Sequence, residues 1–191
     1  MRRDFALATG LLGMALAMDA ATPVLAQQAD LKPLFGMFVG RAEEVDLSNH
    51  TKEQRDIDIV IAPYQRNGLK VEWTNVTLVD GRRDVPGVKR REDEMLLVPA
   101  PDRSFFLAGV GYDPFRDRGE LDPIKGDPLR WGKVEAGILG IYSFQIQDDG
   151  RYELQVYERR PTEEGIALNY ERIDDGEVAR RMTGRAVRAG E

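Results

Sequence analysis

The chain has 191 residues, 42% hydrophobic and 31% charged, with a formal net charge of −6, one histidine and no cysteine. That length supports one domain with its own core. The acidic balance speaks against nucleic acid, whose binding neutralises phosphates with clustered Lys and Arg. The lack of cysteine excludes disulfides, thiol catalysis, cysteine lipidation and the usual His/Cys zinc sites.

The N-terminus reads as an export signal. Arg2 and Arg3 precede an apolar, Ala/Leu-rich stretch over residues 5–18, and Val24-Leu25-Ala26 places compact residues at a cleavage site. Cleavage is expected after Ala26, with Ala21 and Gln27 as alternatives, leaving residues 27–191 as the single domain and the net charge unchanged. Asp19 interrupts the stretch short of the roughly 20 apolar residues of a spanning helix, so no transmembrane anchor is expected in the mature chain. Arg2-Arg3-Asp4-Phe5 fits part of a twin-arginine signal as well as a Sec signal. Both routes imply a periplasmic or secreted protein.

Asp30-Leu31-Lys32-Pro33-Leu34 predicts a short helical turn capped by Asp30. A strand is expected over residues 35–46, then a polar turn over 47–53. From Arg55 to Tyr64 the alternation is clear: Ile57, Ile59 and Ile61 share one face, Asp56 and Asp58 the other. Asn67-Gly68 marks a turn. Leu69, Val71 and Trp73 line the next strand, and Val76 and Leu78 fall on the opposite parity, which predicts a β-bulge near Asn75. Lys89-Arg90-Arg91 is followed at once by Glu92-Asp93-Glu94, a self-cancelling surface run. Strands are expected over residues 94–98 and 104–112.

Residues 113–130 break the pattern with Pro114, Gly119, Pro123, Gly126 and Pro128. A loop of this length suits a lid or a protein-partner contact. It also holds Asp113, Asp117, Glu120, Asp122 and Asp127. Their spacing does not fit a calcium loop, and Arg116, Arg118, Lys125 and Arg130 offset their charge, so a solvated loop is expected.

Strands resume over residues 131–135, 138–147, 151–160, 166–173 and 177–188. A three-residue Asp148-Asp149-Gly150 loop sets Ile146 opposite Tyr152, Phe144 opposite Leu154 and Tyr142 opposite Val156. At Asp174-Asp175-Gly176 two registers fit equally. A three-residue loop pairs Leu168 with Met182 and Arg172 with Val178; a two-residue loop pairs Ile173 with Val178 and Glu171 with Arg180. The fold class is therefore all-β: a single antiparallel up-and-down β-barrel of about 8–10 strands after a short N-terminal helical turn. A barrel of this size holds one small ligand.

The opening Leu34-Phe35-Gly36-Met37-Phe38-Val39-Gly40 resembles the entry of a lipocalin-like or broader calycin barrel, with Phe38 where the family's Trp stands. The resemblance implies a cation from the last strand, Arg185 or Arg188, over the Phe38 ring. It also implies transport or sequestration of a small apolar molecule. The chain further resembles small secreted bacterial proteins of unassigned function that share the opening strand, the run Arg55 to Asp58 and the segment Gln155 to Tyr157.

The candidate chemistry is sparse. His50 sits in a polar turn, early in the chain, where neither haem ligation nor a Ser-His-Asp triad is expected of it. No catalytic residue, metal or cofactor is expected. The ligand-binding candidates are Trp73, Tyr112, Tyr142, Phe144, Tyr170, Arg172 and Arg180, the aromatics with Tyr152 taken as inward-facing. If Arg172 and Arg180 face inward, their guanidiniums suit a carboxylate-bearing ligand. The leading expectation is an exported barrel binding a small, largely apolar ligand. The alternatives are a structural or partner-binding barrel and an enzyme using Tyr142 with Glu171 or Arg172.

Overall fold

The computed structural model describes residues 30–101, 104–109 and 122–190. Ten strands follow one another in it: β1 Gly36–Asp46, β2 Thr51–Tyr64, β3 Gly68–Thr77, β4 Lys89–Pro99, β5 Phe106–Gly109, β6 Leu129–Glu135, β7 Ile138–Ile146, β8 Tyr152–Pro161, β9 Gly165–Asp174 and β10 Glu177–Arg188. Each pairs antiparallel with its sequence neighbour, and β10 returns to β1 to close a barrel. Closure gives every described strand a neighbour on both sides. Among the described residues pairing is sparsest along β5, where Phe106 and Leu107 meet Gly132 and Trp131 of β6.

The hairpin turns follow their local chemistry. Gln147 and Arg151 flank the Asp148-Asp149-Gly150 loop, Gly150 takes a positive φ of 83°, and Phe144 faces Leu154 as the pattern predicts. The β9–β10 turn takes neither of the two expected registers throughout. Asp175 and Gly176 both have positive φ, 54° and 91°, the signature of a two-residue primed turn. Asp174 therefore faces Glu177 and Ile173 faces Val178. The register then shifts between Val178 and Arg180, so Arg172 faces Arg180 and Tyr170 faces Met182.

Two expectations are corrected. In place of a helical turn capped by Asp30, the chain makes one short 3-10 turn, Lys32–Leu34, whose N-cap is Leu31 with no side-chain cap. The β-bulge near Asn75 is absent: β3 keeps continuous register with β2 and β4. Val76 and Leu78 are instead buried on the outer side. Arg83 of the following connection reaches back to Asp56 and Asp58 on that side, which folds the connection over it.

The core fills one end of the barrel. Phe38, Ile59, Ile61, Leu69, Val71, Leu97, Leu139, Ile141, Ile166 and Leu168 are sealed from solvent, and Leu34 plugs the end. Arg188 completes the closure. Its guanidinium lies 4.8 Å from the Phe38 ring centroid and donates to the carbonyls of Phe35 and Pro33. Arg185, the other cation expected there, is exposed on the outer face beside Arg41, because it is three residues from Arg188 and so on opposite strand parity.

Candidate functional site

Along the inner face of most strands the side chains change from apolar to polar once. In β1 the change comes between Ala42 and Glu44, in β2 between Ile57 and Arg55, in β4 between Met95 and Asp93. The polar residues line the mouth opposite the Phe38 end. On β7, Ser143 and Gln145 take these positions, and on β8 Glu153 and Gln155.

The mouth is a network of paired charges. Glu44, almost fully buried, accepts from Arg55 at 3.0 Å and from Arg180 at 3.3 Å. Arg180 also reaches Asp46 at 3.1 Å, and Arg172 reaches Asp174 at 2.9 Å and Glu153 at 3.8 Å. Arg130 lies 3.8 Å from Asp93. The Ser48 hydroxyl and amide donate to Asp46 and hold its carboxyl below the usual range. A cavity of 110 Å³ opens there beside Glu44, Asp46 and Arg180.

Between the mouth and the core lies an aromatic cluster. Tyr157 of β8 and Tyr170 of β9 are cross-strand partners with ring centroids 4.8 Å apart. Trp73 comes from β3, directly across the barrel, and meets Tyr157 at 5.7 Å. Burial pushes both phenols up, so each is a neutral hydrogen-bond group at ordinary pH. The Tyr157 hydroxyl donates to Gln155, whose amide donates to Glu153, giving a chain of polar contacts from the cluster to the mouth.

Arg159 breaks the polarity order. It lies on the core side of Tyr157, between its cross-strand partners Leu139 and Leu168, and is 3% exposed. Its Nη1 donates to the Glu158 carbonyl at 3.3 Å, its Nε has no partner, and its guanidinium lies 5.5 Å from the Tyr157 centroid. Among the described residues no carboxylate pairs with it. Burial lowers its pKa to about 10, so it stays cationic near neutral pH. A lone buried charge is costly.

The sequence-predicted site residues divide. Trp73, Tyr170, Arg172 and Arg180 face the interior together. Arg172 and Arg180 are already paired with carboxylates, so neither is a vacant anion anchor. Tyr142 and Phe144 face outward, which corrects their expected place in the lining. Tyr142 stacks on Trp131 at 5.2 Å, and Phe144 meets Tyr152 at 5.7 Å, also outside. Alternation identified this apolar face and assigned it the wrong side, because Ile141, next to Tyr142, is the residue that fills the core. Tyr112 and residues 113–121 lie outside the described residues. Asp122 and Asp127 serve their own loop: Asp122 caps the 3-10 turn at Pro123, and Asp127 accepts from the Asp122 amide. Tyr157 and Arg159 escaped the sequence reading because Leu154 and Val156 pointed to the other parity of β8. The signal was that Glu153, Gln155, Tyr157 and Arg159 continue the pattern of Tyr170 and Arg172.

No protein-family model matches the chain, and no curated protein matches it by sequence. Among solved structures it is similar to a protein of unknown function from the DUF3598 family of Nostoc punctiforme. The identity is 13% and the TM-score 0.50, covering 89% of this chain and 53% of that one. The chain thus spans about half the length of that relative. It also aligns with the S-type phycobiliprotein lyase CPES from Guillardia theta, at 8% identity and a TM-score of 0.48, over 84% of this chain and 91% of the other. At 13% identity the first likeness is one of fold alone: the closed antiparallel barrel.

Proposed function

We propose that the chain is an exported, lipocalin-like barrel that binds a small, largely apolar ligand in its interior without catalysing a reaction on it. The observation that carries this reading is the cluster of Trp73, Tyr157 and Tyr170 at the boundary between the apolar core and the charged mouth. Aromatic walls with a few polar groups are the ordinary make-up of a small-molecule site. Here the phenols orient the ligand and the rings contact its apolar body. The ordered charge pairs at the mouth keep its carboxylates neutralised, so that end does not repel an acidic ligand.

The test is native mass spectrometry of protein purified from its own host, followed by binding assays on Trp73→Ala and Tyr157→Ala. A retained small molecule that both variants lose supports the reading; a wild-type protein that repeatedly carries and binds none refutes it. Export is tested on the same sample: a mature mass beginning at Gln27 is expected in the periplasmic fraction, and an unprocessed cytoplasmic chain contradicts it.

A second reading has its own observation. The outer face of β6–β8 presents Leu129, Trp131, Tyr142, Phe144, Leu154 and Val156 side by side, and apolar surface of this kind marks contact sites. On this reading the barrel docks a protein there. Trp131→Ser combined with Tyr142→Ser should then remove a co-purifying partner while interior binding is kept.

A further inference from the structure

Arg159 is the anomaly of the interior. The arginines on the mouth side of the aromatic cluster, by contrast, divide into paired and free. Arg55, Arg130, Arg172 and Arg180 each have a carboxylate. Arg91 has none among the described residues but is exposed to solvent at the mouth. Among the described residues Arg159 alone combines burial with the lack of a carboxylate, and it does so where the strand pattern calls for an apolar residue, between Leu139 and Leu168. Its Nη1 donates to a carbonyl at 3.3 Å on the adjoining residue, and its Nε has no partner. The planar guanidinium matches a carboxylate through two parallel hydrogen bonds, and at 5.5 Å it adjoins the Tyr157 ring.

From this we infer that Arg159 is the anchor for a ligand carboxylate, and that the ligand is a compact aromatic acid whose ring lies among Trp73, Tyr157 and Tyr170 and whose polar far end faces the charged mouth. The inference rests on the interior-binding reading and names its ligand class. The order of the interior decides against a long-chain fatty acid. With its carboxylate on Arg159, the alkyl tail of such an acid would run out into Glu153, Arg172 and Asp174, where no apolar side chain among the described residues receives it. An aromatic acid with a polar substituent matches the three zones in turn: cation, rings, charged mouth.

The experiment is calorimetric titration of the mature protein with three acid and amide pairs: 4-hydroxycinnamate, indole-3-carboxylate and benzoate, each against its carboxamide. For at least one pair the acid should bind about 10-fold tighter than the amide, the ratio expected of one charge-assisted contact. Arg159→Met should erase that preference by weakening the acid and leaving the amide unchanged, and Arg159→Lys should restore part of it. The acid should raise the wild-type melting temperature and not that of Arg159→Met. Equal binding of acid and amide by the wild type, or a preference that survives Arg159→Met, overturns the anchor and leaves interior binding standing. Binding of no compound by the wild type overturns the interior reading and the anchor with it. The comparison of acid with amide on the wild type needs no variant, so a poorly folded substitution does not decide the outcome.

Discussion

The two ends of the barrel are built on one closed sheet and obey opposite rules. At the Phe38 end the inner face is apolar and sealed, and exclusion of water holds it together. At the mouth the inner face carries Glu44, Arg55, Glu153, Arg172, Asp174 and Arg180, while β6–β8 turn Trp131, Tyr142, Phe144, Leu154 and Val156 outward. A strand's alternation separates its residues into two sets and does not say which set is buried. The apolar end is a core; the mouth is an ion-pair network that needs its partners complete.

That contrast is open to direct attack, and the largest effect should come from the sealed end. Phe38→Ala removes a buried ring and the seat of Arg188, and should cost about 3–5 kcal/mol in denaturant unfolding. Glu44→Ala at the mouth leaves Arg55 and Arg180 facing each other without their shared carboxylate. A loss of about 2–3 kcal/mol is expected, less than for a fully buried pair because Arg180 is partly solvated. If Glu44→Ala proves neutral, the mouth is not held by its ion pairs. Arg159→Met should change stability in the other direction. It replaces a lone buried cation by an apolar side chain of similar length, and a gain of about 1–3 kcal/mol is expected in the absence of ligand. A marked loss would mean that Arg159 is already satisfied within the protein.

A smaller effect tests the outer face. Tyr142→Ala removes a stack on Trp131 that faces solvent and should cost about 1 kcal/mol, well below Phe38→Ala; a larger cost would place Tyr142 in a core. The smallest effect concerns pH. The folded pKa values of Tyr157 and Tyr170 are raised by burial, so their contribution to stability is complete below the unfolded value near 10 and is lost as the pH rises through the folded values. Stability at neutral pH should be insensitive to either phenol's ionisation. An ultraviolet titration should show a late-ionising fraction that shrinks in Tyr157→Phe and in Tyr170→Phe.

Much of the fold was legible because hairpin chemistry is local. Asp149-Gly150 and Asp175-Gly176 mark their turns, and the pairing of Phe144 with Leu154 followed from matching apolar residues. The β9–β10 register was not legible, since the shift after Val178 combines a two-residue turn with a displaced ladder that neither simple loop describes. The inward placement of Trp73 was legible for a physical reason: it continues the parity of Leu69 and Val71. Tyr142 and Phe144 were misplaced because β7 is apolar on both faces, with Leu139 and Ile141 on one side and Tyr142 and Phe144 on the other.

The sequence by itself determined the strands, most of the turns and the antiparallel order, since these depend on alternation and on residues that accept positive φ. That a last-strand arginine meets Phe38 was only what the resemblance of the opening strand implies. Only the tertiary structure decided that the arginine is Arg188, that Tyr157 rather than Tyr142 faces the interior, and that Arg159 is buried with no carboxylate partner among the described residues. Those facts depend on which face turns inward when β10 closes on β1, and closure is set by the packing of all ten strands together.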